Sequence, residues 1–123
     1  MNPSKRAGTA WETSIVNQAH LKGLKAWRLA EGGENDPGDI AIQTPSGDTY
    51  VIEAKHRSQL NIHAALSKAA AKAVAADLPF SVVGVGVAWK RLVSKGGRRR
   101  VSAGTPIMAI SLDDWLDLIA HQD

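Results

Sequence analysis

DIAIQTPSGDTYVIEAKH (residues 39–56) contains two apolar segments separated by a short polar turn. The turn is rich in Thr, Pro, Ser and Gly, so the pattern predicts a β-hairpin. Successive side chains of a strand point to opposite faces of the sheet, and Glu53 and Lys55 therefore share one face. Asp39 joins them if the polar faces of the two strands coincide. The hairpin thus predicts two carboxylates and one ammonium group in the same place.

A length of 123 residues suits one domain with a modest core, so we expect residues 1–123 to form a single domain. The predicted elements are a helix from residue 8 or 9 to about 24, an edge strand at 25–29, hairpin strands at 39–43 and 49–56, an Ala-rich helix at 58–77, a Val-rich strand at 81–89 buried on both faces, a strand at 106–111, and a last helix capped by Ser111. This order predicts an α/β fold of the mixed α+β kind, with a central mixed β-sheet of about five strands flanked by helices. Because a long helix follows strand 49–56, we expect that strand to be central.

Aromatic and apolar side chains recur at helical spacing in the first and last predicted helices. Leu112, Trp115, Leu116 and Ile119 mark one face of the last helix. We expect Trp11 and Trp115 to be core or interface residues rather than platforms for base stacking.

Composition limits the classes of protein to consider. The chain has 44% hydrophobic and 22% charged residues, which is typical of a globular domain. It has no cysteine, which excludes disulfide frameworks and zinc–thiolate sites. Neither a signal peptide nor an apolar segment long enough for a membrane is recognisable, so we expect a cytoplasmic protein without a membrane partner. The net charge of +3 is compatible with a polyanionic partner.

The acidic residues near the hairpin suit the hydrolysis of a phosphodiester. That reaction needs charge stabilisation and an activated water, and Mg²⁺ held by oxygen ligands supplies both. Asp39 and Glu53 are suitable metal ligands, the backbone carbonyl of Ala54 is a third, and Lys55 can orient the water. Glu12 leans toward the apolar face of the first helix and can complete the cluster directly or through water. The Glu-x-Lys spacing is also common on solvent-facing strands, so an ordinary surface role stays open.

The arrangement Glu12, Gly38-Asp39-Ile40 and Ile52-Glu53-Ala54-Lys55 resembles the PD-(D/E)xK nuclease superfamily. In size and order of elements the chain is most similar to archaeal-type Holliday-junction resolvases and their phage relatives. Gly38 stands where the plainest form of the family motif has Pro directly before Asp. The resemblance implies a restriction-endonuclease-like core and a homodimeric endonuclease that cuts branched DNA such as a four-way junction. It also implies that Mg²⁺, or alternatively Mn²⁺, is bound by Asp39 and Glu53, that Lys55 assists the water, and that Glu12 supports the metal shell.

Basic and polar side chains elsewhere are candidates for contacts to DNA phosphates, since each neutralised phosphate releases counterions. The candidates are Lys5, Arg6, Arg28, His56, Arg57, Gln59, Lys95, Arg98, Arg99 and Arg100. The basic run at 98–100 lies in a predicted hairpin at 90–105 and equally suits a solvated hairpin tip. Arg28 is alternatively a partner of Glu31 or Glu34.

Three functions stay open at this stage. The first is a structure-selective, metal-dependent DNA endonuclease similar to a Holliday-junction resolvase. The second is a nicking, repair or restriction-like nuclease that acts on duplex DNA. The third is a nucleic-acid-binding module without catalysis.

Overall fold

The computed structural model describes residues 3–29, 39–96 and 100–121, without the side chains of residues 3–7, Asp39 and Arg100. The elements are α1 Pro3–Leu21, β1 Lys25–Arg28, β2 Asp39–Gln43, β3 Thr49–Arg57, α2 Ile62–Ala75, β4 Val82–Ser94, β5 Arg100–Ser102, β6 Ile107–Ile110 and α3 Leu112–Ala120. Three helices and six strands in this part of the chain make a mixed α/β fold, as predicted. None of these helices is long and apolar enough to cross a membrane.

The six strands form one mixed sheet with β3 in a central position, as expected. The order is β1-β2-β3-β4-β5, and β6 also pairs with β4. β3 and β4 are parallel, and all other neighbours are antiparallel. A parallel pair needs a crossover connection, which α2 supplies. The carboxyl ends of β3 and β4 consequently lie at the same edge of the sheet.

The predicted hairpin is present, with β2 and β3 in antiparallel register. In its turn the Thr44 amide donates to the Asp48 carbonyl at 2.8 Å, and the Gly47 amide donates to the Thr44 carbonyl at 2.9 Å. Gly47 has a φ of +97°, a conformation that only glycine adopts without strain. The turn fixes the register, and Asp39 is paired with Glu53 across the two strands.

A helix covers each face of the sheet and makes two apolar clusters. On one face the cluster consists of Trp11 and Ile15 of α1 with Ile40, Ile52 and Ala88 of the sheet. On the other face Ala65 and Ala69 of α2 pack against Val87. The small side chains of α2 let this helix lie close to the central strands. Together these clusters hold β3 between two packed layers.

Three helix boundaries differ by three residues or more from those predicted. α1 begins at Pro3, five or six residues early, which proline permits because the first turn needs no intrahelical N–H. It ends at Leu21 rather than near 24, where Gly23 takes a φ of +81°. α2 begins at Ile62 rather than at 58, because the Asn61 side chain caps it by accepting from the Ala64 amide at 3.0 Å.

The Val-rich strand is longer than predicted. β4 continues to Ser94 and pairs antiparallel with β5, as the predicted hairpin at 90–105 requires, and Lys90 and Arg91 are residues of β4. They pair with His56 and Arg57 of β3. Main-chain pairing with β3 and β5 therefore overrides the loop-like composition of this segment.

The last helix differs from expectation in how it is buried. Ser111 caps α3 as predicted, with its hydroxyl accepting from the Asp114 amide at 3.1 Å. Trp11 is a core residue, as expected, but no residue of α3 is buried. Trp115 is 45% exposed, so it is not a core residue.

Candidate active site

Glu53 is a buried carboxylate in the middle of the central strand. Only 6% of the residue is exposed. Its Oε1 accepts a hydrogen bond from Lys55 Nζ at 2.8 Å, whereas its Oε2 is buried and has no hydrogen-bond partner among the described residues. An unsatisfied buried acceptor costs about 1–3 kcal/mol in protein stability. Such a group in a native structure calls for an explanation, and a bound ion or a catalytic role is one.

Lys55 lies two residues further along β3 on the face that Glu53 occupies, as alternation predicted. Its side chain is 18% exposed, and its ammonium group is held by Glu53 Oε1. An ammonium group has three N–H donors. The ion pair engages one of them, so the remaining donors are available to a water or a phosphate oxygen at the site.

The strand register brings Asp39 to the same place. Its backbone is directly opposite Glu53, and cross-strand partners of this kind have Cα atoms about 4.5–5.5 Å apart. β2 begins at Asp39, so residues 54–57 of β3 have only β4 beside them within the described chain. The backbone of Ala54 therefore lies where the pairing with β2 stops.

Glu12 points inward from α1, as its helical spacing predicted, and only 4% of it is exposed. Its Oε1 accepts from Arg28 Nε at 3.0 Å and lies 3.0 Å from a second guanidinium nitrogen. Sequence reasoning missed this pair and suggested Glu31 or Glu34, which both lie outside the described residues. The signals that point to it are an inward acid on α1 and a cation at the end of β1.

Arg28 itself is only partly withdrawn from solvent, with 40% of its side chain exposed. It is the last residue of β1 and pairs in register with Ile40, the neighbour of Asp39. The two carboxylates thus differ: Glu12 already has a guanidinium partner, whereas Glu53 keeps one oxygen unpartnered.

His56 lies on the opposite face of β3 from Lys55, beside Lys90 in the register. Burial, and then the positive charge of Lys90, hold the pKa of His56 below its ordinary value. Its Nε2 lies 3.3 Å from the Ser102 hydroxyl, and its Nδ1 is buried without a hydrogen-bond partner. The ring is therefore neutral near pH 7 and offers a phosphate a hydrogen bond rather than a charge.

The other predicted DNA contacts fall into two groups. Arg57, Gln59 and Lys95 are exposed, and Gln59 precedes α2 instead of lying in its first turn. The remaining candidates have no described side chain: Lys5 and Arg6 lie in α1, Arg100 is in β5, and Arg98 and Arg99 lie outside the described residues. Three exposed basic residues lie beyond Glu53 toward the carboxyl ends of β3 and β4. Arg57 pairs in register with Arg91, and Lys95 comes directly after β4.

A second acidic group, which the sequence did not single out, lies on α3. Carboxylate oxygens of Asp113, Asp114 and Asp117 lie within 4.8 Å of one another. Two of these residues are exposed, and Asp113 and Asp114 lie in the first helical turn, where negative charge stabilises the helix dipole. Asp114 also accepts from the Val85 amide at 3.4 Å. These structural roles account for the group without a metal ion.

Comparison of the chain with protein-family models, with curated proteins and with solved structures found no match. The resemblance to PD-(D/E)xK nucleases therefore depends on the motif and on the geometry around Glu53.

Proposed function

We propose that this chain is a metal-dependent DNA endonuclease of the PD-(D/E)xK kind that hydrolyses phosphodiester bonds. One observation carries the proposal. A buried Glu53 is paired through one oxygen with Lys55, keeps the other oxygen unpartnered, and lies opposite Asp39 in the strand register. A solvated surface pair, the ordinary alternative for this spacing, does not leave a carboxylate buried in this way.

The residues present fit a hard divalent cation. Glu53 Oε2, the Asp39 carboxylate and the Ala54 carbonyl would hold Mg²⁺ or Mn²⁺, which prefer oxygen ligands and keep several waters. When bound, the cation supplies positive charge to the scissile phosphate and lowers the pKa of a coordinated water. The buried acceptor oxygen of Glu53 then gains the partner that it lacks within the described chain.

Lys55 has the role of orienting the attacking water and countering negative charge as it develops on the phosphate. Its ammonium group is fixed by Glu53, so little side-chain freedom is lost when the substrate binds. Fixed donors of this kind, placed where charge develops, are worth about 2.7–4 kcal/mol in the transition state.

Glu12 supports the site through Arg28 and not as a metal ligand in our proposal. A carboxylate that already accepts from a guanidinium group has less negative charge to offer a cation. The pair instead holds a partly exposed guanidinium group next to the start of β2, where it can bind a phosphate of the substrate. Arg28 is therefore the substrate contact and Glu12 its positioning residue.

The topology supports the same proposal. The order α1-β1-β2-β3-α2-β4, with β3 and β4 parallel and the acids on β2 and β3, is what the resemblance to a restriction-endonuclease-like core implies. The exposed row of Arg57, Arg91 and Lys95 suits a phosphate backbone and offers no set of side chains arranged for reading bases. The resemblance to Holliday-junction resolvases implies branched DNA, such as a four-way junction, as the substrate and a homodimer as the acting form, and we include both in the proposal.

Cleavage of labelled four-way junctions, flaps and linear duplex tests the function. Cleavage is expected in Mg²⁺ and not in Ca²⁺ or chelator, and Asp39→Asn should abolish it, while the matched variant Asp113→Asn on α3 should cut normally. Metal-independent cutting, or full activity of Asp39→Asn, would reject the mechanism. A preference for linear duplex would reject the resolvase-like part, and binding without any cutting would favour a non-catalytic module.

A further inference from the structure

A pocket opens on the face of the sheet that α1 covers, between the turn of the β2–β3 hairpin, β6 and α3. Its volume is about 550 Å³, and ligand-binding pockets have volumes of about 300–1,000 Å³. Most of its wall is hydrophobic. The side chains that form this part of the wall are those of Leu24, Ile42, Ile52, Met108, Ile110 and Leu118. We call this space the Tyr50 pocket, after the aromatic residue that also lines it.

The ring of Tyr50 lies against the backbone of Gly84. A Cβ atom built at residue 84 would lie 2.7 Å from Tyr50 Cε2 and 3.0 Å from Asp114 Oδ2. Other atoms do not approach a Cβ atom as closely as the ring does here, so the position requires glycine. Because both groups contact the same point above Gly84, the Asp114 carboxylate lies beside the ring.

The polar end of the Tyr50 pocket is negatively charged. Asp48 lines the pocket from the hairpin turn, and Asp114 and Asp117 approach Tyr50 from α3. Burial, and then the charges of these three carboxylates, raise the pKa of Tyr50 above its ordinary value. The remaining ionisable side chain among the described lining residues is His121, whose Nδ1 donates to the Asp117 carbonyl at 2.7 Å.

This negative charge has no cation to balance it within the described chain. The three carboxylates form no salt bridge there with a Lys or Arg side chain, and no described residue that lines the pocket is a Lys or Arg. The chain as a whole has 15 Lys and Arg residues against 12 Asp and Glu residues. The negative charge at this pocket is therefore a local feature that the overall composition does not explain.

We propose that the Tyr50 pocket binds a small organic cation, namely a protonated amine attached to an aliphatic chain or ring. The apolar part of the ligand contacts the hydrophobic wall, and the ammonium group lies at Tyr50 between Asp48 and Asp114. Carboxylates form charge-assisted hydrogen bonds with an ammonium group, and the face of a tyrosine ring attracts a cation.

The same features disfavour other occupants. An anion meets like charge from three carboxylates, and a neutral apolar molecule leaves those carboxylates without a partner. The volume suits a whole small molecule rather than the single lysine side chain of a partner protein. Tyr50 and Glu53 point to opposite faces of β3, so this inference does not depend on nuclease activity.

NMR spectroscopy of the full chain, labelled with ring-¹³C tyrosine, measures binding at one place because the chain has one tyrosine. The probes, at constant ionic strength, are hexylamine, hexanol as its neutral analogue, and methylammonium as a cation without an apolar body. Hexylamine should shift the Tyr50 ring resonances saturably and bind at least about 10-fold more tightly than hexanol, since hydrogen bonds to charged groups are the stronger ones. Each CH₂ group added from butylamine to hexylamine should lower Kd about three- to fourfold.

A charge-removing variant tests where the amine binds. Asp48→Asn keeps the shape of the side chain and should raise the Kd for hexylamine at least about threefold, with no change for hexanol. Asp77→Asn is the matched control: it removes the same charge from an exposed residue outside the pocket, and asparagine tolerates the φ of 49° at this position. This control should bind hexylamine like the wild type.

Several results would overturn the inference, and the probe series needs no variant. Hexylamine that does not bind, or that binds no more tightly than hexanol, would show that the pocket does not select an amine. An equal response to methylammonium would reduce the effect to charge screening. An unchanged Kd in Asp48→Asn would place the amine elsewhere. Tighter binding of N-acetyl-lysine methylamide than of hexylamine would make a partner's lysine side chain the occupant instead of a free amine.

Discussion

Replacing Glu53 and Lys55 together by Leu and Met separates a functional role of this ion pair from a structural one. Both side chains are largely withdrawn from water, and Glu53 Oε2 has no hydrogen-bond partner among the described residues. If the pair exists for metal binding and catalysis, it lowers the stability of the metal-free fold. The apolar pair should then be more stable than the wild type in chelator and should lose its response to Mg²⁺.

The magnitude follows from the burial of the pair. An unsatisfied buried acceptor costs about 1–3 kcal/mol, and apolar replacements of buried ion pairs are neutral or stabilising by about 1–4 kcal/mol. We therefore expect the free energy of unfolding in chelator to rise by about 1–3 kcal/mol. With about 4 °C per kcal/mol for a domain of this size, Tm should rise by about 4–12 °C. Conversely, Mg²⁺ at 100 times its Kd should stabilise the wild type by about 2.7 kcal/mol and leave the double variant unchanged.

Urea and thermal denaturation followed by far-UV circular dichroism, in chelator and in a series of Mg²⁺ concentrations, measure both effects. Asp113→Asn is the control, because it removes an acid from the exposed group on α3 and should keep the wild-type response to Mg²⁺. A double variant less stable than the wild type in chelator would show that the pair stabilises the fold. Equal stabilisation of both proteins by Mg²⁺ would place the metal elsewhere. Either result would refute the reasoning.

Three further predictions concern single residues. Lys55→Met should lower kcat for junction cleavage about 10²–10³-fold and change the Kd for junction DNA in Ca²⁺ less than about threefold, as measured by single-turnover cleavage and fluorescence anisotropy. Glu12→Gln and Arg28→Lys should weaken DNA binding by similar factors without changing the Mg²⁺ concentration for half-maximal activity; a shift in that concentration for Glu12→Gln would make Glu12 a metal ligand after all. Because burial and Lys90 depress the pKa of His56, the unfolded chain binds more protons below about pH 6.5, so stability falls as the pH drops from there through the folded-state pKa. Urea midpoints measured against pH should show this slope in the wild type, and a His56→Gln variant that retains the slope would contradict the assignment.

Local patterns predicted the part of the fold that carries the site. The period-two alternation of 49–56 placed Glu53 and Lys55 on one face, and the structure confirms this with a direct ion pair. The turn composition fixed the loop length, and loop length fixes which residues face each other across a hairpin. The pairing of Asp39 with Glu53 follows from these two local facts.

Features set by distant contacts were not predictable in the same way. Lys90 and Arg91 have the composition of a loop, yet they are strand residues because β3 offers its main chain beside them. The apolar spacing of α3 predicted a helix but not the side on which that helix would meet the sheet. On the side that meets the sheet, the Asp114 carboxylate accepts from a β4 amide and Leu118 is partly buried.

The net charge of the candidate site depends on partners that are near in the sequence and on partners that are distant in it. Sequence reasoning gave Glu12 to the metal because only its inward lean was recognisable, and its partner Arg28 lies 16 residues further along the chain. With that partner assigned, Glu12 and Arg28 neutralise each other on the face of the sheet that α1 covers. Glu53 and Lys55 lie on the opposite face and neutralise each other there, and Asp39, which is paired with Glu53, leaves one formal negative charge. The two carboxylates and one cation around Glu53 sum to −1. Under the proposed function this charge would attract a divalent cation, and the loaded site at +1 would then attract a phosphodiester. Since linkage between two ligands is reciprocal, the proposed function predicts that metal strengthens DNA binding at this site by the same factor by which DNA strengthens metal binding.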